Sequence, residues 1–122
     1  MSEKYILIAS RNEEDRTKII IAYANLNPTL TCILSQSYTK EWIQKNTNIN
    51  TSIEVIEDID SIDLSKYKTI CIDYIEVFNS DEIKMIVKKL MSYNIEIIAM
   101  SHMRHVSYEI TNIFQKAAQG EI

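Results

Sequence analysis

Three places in this sequence hold side chains able to do chemistry. The polar segment 10–17 carries Ser10, Arg11, Asn12, Glu13, Glu14, Asp15, Arg16 and Thr17, directly after an apolar run. Asp73 closes a second apolar run. With Thr17, and with help from Glu13 or Glu14, it offers oxygen ligands of the kind a divalent ion takes. His102 and His105 offer two nitrogen ligands at helical spacing, without the third that zinc requires. Each place has a plainer reading, and we favour it: Asp73 as a structural carboxylate bonding nearby backbone, the histidines as satisfied polar residues at the top of a sheet. Ser35, Ser37 and Ser101 make no hydrolase elbow, and Cys71, two residues before Asp73, reads as buried.

Composition removes further chemistry. The 122 residues contain one glycine, Gly120, and one proline, Pro28. That excludes a glycine-rich phosphate loop, a GxGxxG turn and a GxSxG elbow. Two cysteines, Cys32 and Cys71, are too few for a disulfide scaffold or a four-cysteine zinc site. Both sit in apolar runs, which reads as reduced core cysteine and a cytoplasmic location. The net charge of −4 disfavours a general nucleic-acid binder. No apolar run approaches the roughly 18 residues of a membrane helix, so no membrane association is expected. A chain of this length that is 46% hydrophobic and 25% charged makes one domain with a core.

The elements that must position these residues follow from periodicity. Unbroken apolar runs at 5–9, 30–34, 69–73 and 95–100 read as strands buried on both faces, and 53–56 reads as an edge strand among acids. Helices are expected over 17–25, 38–46, 80–93 and 106–117. Asn27-Pro28 stops the first, and Trp42 and Ile43 anchor the second. Ser80 caps the third, which stops at Asn94 and turns Lys84, Lys88 and Lys89 to water. Alternating strands and helices imply a mainly parallel sheet in a three-layer α/β/α sandwich.

The order of motifs resembles the motor domain of DnaB-like replicative DNA helicases, a branch of the RecA-like, P-loop NTPase fold. Ile8-Ala-Ser-Arg-Asn-Glu-Glu-Asp-Arg-Thr17 falls where that family has its phosphate loop. Ile72-Asp-Tyr-Ile-Glu-Val-Phe78 looks like its Walker B segment, and Ile97-Ile-Ala-Met-Ser-His-Met-Arg104 like a following sensor strand. Ile33-Leu-Ser-Gln-Ser-Tyr-Thr-Lys-Glu41 is a fainter match. The resemblance implies strand order 2-3-4-1 over the four core strands, with the 95–100 strand between the first strand and the Asp73 strand. It places Arg16 at the phosphate-binding lysine, Thr17 at the magnesium hydroxyl and Asp73 at the Walker B carboxylate. Ser37 falls at the water-activating glutamate, His102 at the γ-phosphate sensor, and His105 or Arg104 at the trailing arginine.

The loop departs from that pattern where it matters most. Ser10, Glu13 and Asp15 stand at the glycine positions, so side chains block the backbone cradle. Glu13, Glu14 and Asp15 set three carboxylates where a polyanion would lie, each close like-charge contact costing about 1–4 kcal/mol. Asn12 as N-cap, with these acids in the first turn, lets the helix supply its own counter-charge. The expectation is therefore a non-catalytic RecA-like pseudo-ATPase needing no cofactor. It would act as a protein-interaction module in DNA replication, on a helicase or loader, or self-associate. Glu13, Glu14, Arg16, His102 and Arg104 form the expected partner rim. The alternatives are an ATPase with an atypical loop and a DNA-binding accessory protein.

Overall fold

The computed structural model describes residues 4–102 and 107–121. Strands and helices alternate except between β3 and β4, which short 3-10 turns join: β1 Tyr5–Ser10, α1 Glu13–Leu26, β2 Thr31–Leu34, α2 Lys40–Asn46, β3 Glu54–Ile56, β4 Thr69–Ile72, α3 Ser80–Ser92, β5 Glu96–His102 and α4 Tyr108–Ala118. The strands form one sheet in the order β1-β5-β4-β2-β3, and every pairing is parallel. β5 thus lies between β1 and β4, and β3 is the edge strand beyond β2.

The unbroken apolar runs are explained by burial on both faces. Alternate residues point to opposite sides of a strand. Ile70 and Ile72 of β4, with Ile97 and Ala99 of β5, pack with Ile83, Val87 and Leu90 of α3 and Ile113 and Phe114 of α4. Cys71, Ile98 and Met100 point the other way, into a cluster with Ile20, Ile21 and Ala24 of α1 and Ile43 of α2. Cys32 and Cys71 fall in different clusters, and both are free and buried. Among the described residues no helix is long and apolar enough to cross a membrane.

Several boundaries differ from the sequence expectation for local reasons. α1 begins at Glu13, four residues before the periodic stretch, because the Asn12 side chain accepts the Asp15 N–H at 2.8 Å. Asn79 caps α3 in place of Ser80, with a complete capping box: its side chain accepts the Glu82 N–H, and Glu82 Oε1 accepts the Asn79 N–H. Asn94 follows α3 with φ 56°, a left-handed conformation that asparagine tolerates. Trp42 is no core anchor. It is 41% exposed and stacks on Tyr38 with ring centroids 4.1 Å apart, leaving Ile43 to hold α2. Val106, expected in the last helix, lies outside the described residues.

Candidate functional site

The ends of β1, β2 and β4 bring most of the chemistry-bearing residues together. In a parallel sheet, residues that follow paired strand positions stand side by side. Leu34 pairs with Ile72, so Ser35 and Asp73 meet just past the sheet. The Ser35 hydroxyl donates to Asp73 Oδ2 at 2.6 Å and accepts the Tyr38 N–H at 3.1 Å. Tyr38 in turn donates its phenol hydroxyl to Glu13 Oε1 at the start of α1. A string of polar contacts therefore runs from β4 through the segment after β2 to α1.

Arg16 closes the same space from the side. It is 7% exposed, donates Nη1–H to the Ser10 carbonyl at 3.3 Å, and lays its guanidinium over the Tyr74 ring, 4.6 Å from the centroid. Arg16, expected on the partner rim, is thus largely buried at the start of α1. Glu13, Arg16, Thr17, Ser37, Tyr38, Asp73 and Tyr74 enclose a notch of about 10 Å³. That volume is at the lower limit for one water molecule.

Electrostatics follows from this packing. Asp73 is also 7% exposed, and its Oδ1 is buried without a hydrogen-bond partner. Burial pushes its carboxyl up to about 6, while the Ser35 hydroxyl, then the backbone N–H groups of Tyr74 and Asp73, and last the Arg16 charge pull the other way. Tyr38 is raised to about 12, first by burial and then by its bond to Glu13, so it stays a donor at neutral pH. Burial likewise raises both cysteine thiols to about 12, which leaves them unreactive in the folded chain.

The other expected site residues are spread around this notch. Arg11, Asn12, Glu14 and Asp15 are exposed, and Glu14 pairs with Lys18 one turn along at 3.0 Å. Asp15 contributes its N–H to the cap. His102 ends β5 beside Ser10, half-buried, with its N–H donating to Glu76 Oε1 at 2.7 Å. The Ser101 hydroxyl bonds the same oxygen. Arg104 and His105 lie outside the described residues. Among the described residues no group of three or more His, Cys, Asp or Glu is placed to hold a metal ion.

Tyr38, Tyr74 and Glu76 were not singled out by the sequence reading. Ser35 had a signal, since it follows the run that neighbours the Asp73 strand. Tyr38 and Tyr74 had none, because their roles depend on contacts with α1. Comparison of the chain with protein-family models, curated proteins and solved structures finds no match.

Proposed function

We propose that this chain is a nucleotide-independent α/β module that works through protein contacts. The observation that carries this reading is the filled notch. Where a phosphate would meet a helix N-terminus, the chain supplies Glu13, the Tyr38 hydroxyl and the folded Arg16 guanidinium instead. Binding a nucleotide there requires breaking the Tyr38–Glu13 bond, turning Arg16 outward and placing phosphates beside three acids.

The neighbour order β2-β4-β5-β1, with helices contributing to both apolar clusters, supports a RecA-like plan in three layers. Resemblance of the four segments to DnaB-like motor motifs supports a place in DNA replication, on a helicase or its loader. Two buried, unpaired cysteines accord with a reducing, cytoplasmic setting. On this reading Asp73 and Thr17 are fold residues, and Arg16 serves to seal the notch.

Thermal melts test the proposal. A ligand that binds only the folded chain raises its midpoint by mass action. Millimolar magnesium-ATP should leave the midpoint unchanged, as should magnesium-ADP. A clear upward shift with either would restore the ATPase reading.

A further inference from the structure

A concavity lies away from the notch, beyond the carboxyl ends of β2 and β3 and against α3. It has a volume of about 450 Å³. Its floor is apolar: Leu34, Ile59, Phe78 and Ile86, each at least nine-tenths buried. Met85 stands on its margin, 71% exposed. The rim carries Glu57, Asp58, Asp60 and Glu82 against one cation, Lys89, which is already paired with Asp60.

From this combination we infer that the groove docks a basic amphipathic segment of a partner protein. The charge on the rim selects the sign of the occupant. Asp58 Oδ1 accepts the Asp60 N–H and Glu82 Oε1 accepts the Asn79 N–H, both at 3.0 Å, so the rim carboxylates are held in place by their own turns. An apolar occupant without charge would strip water from these carboxylates and return no partner. Lysine or arginine flanking an apolar stripe pairs with them while the stripe meets the floor, as in helix-in-groove recognition. Size argues for a polypeptide over a small molecule, because covering Met85 takes an occupant that extends past the floor. A flexible methionine at the lip fits such an adaptable surface. The groove also opens outside the carboxyl ends of the strands, where open α/β sheets present their binding crevice.

The inference rests on the interaction-module reading for the nature of the partner, but its site is separate from the notch. The probe is a labelled amphipathic peptide built of leucine and lysine alone, with its leucine–glutamate counterpart as control, followed by fluorescence anisotropy. The lysine peptide should bind the full chain, more weakly as salt rises, and the glutamate peptide should not. The double variant Glu57→Lys, Met85→Lys alters two solvent-facing side chains and should lose binding by about tenfold or more. The pair Glu13→Lys, Glu14→Lys should bind as the parent does. Circular dichroism checks each variant's fold, and Glu57→Lys alone should still lose affinity if the double variant does not fold.

Equal binding by the groove variants, loss on the Glu13 and Glu14 reversal, or binding of both peptides alike overturns the inference. So does a concentration-dependent dimer in sedimentation that the groove variants abolish, since a second copy would then be the occupant. The nucleotide melts are independent of this assay: a shift with ATP sinks the proposed function and leaves the groove result standing.

Discussion

Asp73 is the residue on which the two readings of this chain diverge. In an ATPase it would face a metal and water; here it is buried, bonded to Ser35, with one oxygen unpartnered. Its ordinary value of 3.8 rises to about 6 through burial. At low pH both folded and unfolded chains hold the proton. As pH rises from 3.8 toward 6 the unfolded chain releases it first, so the folded state loses stability. Above about 6 the deficit is constant, about 3 kcal/mol for a two-unit shift. Asp73→Asn keeps an acceptor for Ser35 and removes the buried charge. Urea unfolding should find the variant more stable than the parent at pH 7, by about 1–2 kcal/mol, with the gap closing near pH 4. A variant less stable at both pH values would mean that the carboxylate itself holds the site together.

At the scale of elements, two helix starts carry the argument. The α3 box makes Asn79 the cap, so Asn79→Ala should lower stability by about 1 kcal/mol. Ser80→Ala should cost less, because the Ser80 hydroxyl reaches only Glu109, in an exposed contact. Thermal midpoints of the two variants rank them, and the reverse ranking would contradict the box. At α1, Glu13→Gly with Asp15→Gly places glycines at two of the positions where the resemblance expects them. The pair should lower stability by about 0.5–2 kcal/mol through lost helix-start support, and should not create ATP binding, since Arg16 and Tyr38 still fill the notch. ATP binding by that variant would show that side chains at those two positions alone had kept nucleotide out.

These helix starts also mark how far the sequence could be read. Asn12 as the α1 cap was legible from an asparagine ahead of three acids, although the apolar period begins only later. The spacing of Asn79 and Glu82 was equally readable, yet Ser80 is as good a cap by type, and only the reciprocal bond decides between them. The burial of Arg16 had no local signature. An arginine among acids reads as surface, and the ring that receives it, Tyr74, follows the central strand β4, far along the chain. Trp42 reads as core by type and is instead held at the surface by Tyr38.

For the molecule as a whole, the parallel sheet was legible because four short runs are apolar on both faces and alternate with helical patterns, as strands of a sheet covered on both sides do. The placement of the polar residues was less so. Sequence order gathered Glu13, Glu14 and Arg16, whereas folding buries Arg16 and builds the acidic groove from segments after β2, β3 and β4 together with α3. The central claim of the proposed function is that the notch at the start of α1 is filled by the chain itself and takes no nucleotide. Isothermal titration of the intact chain with magnesium-ATP tests it most directly. The account predicts no heat of binding at physiological nucleotide concentration. A dissociation constant below about 100 μM, roughly 5.5 kcal/mol of binding free energy, would contradict it.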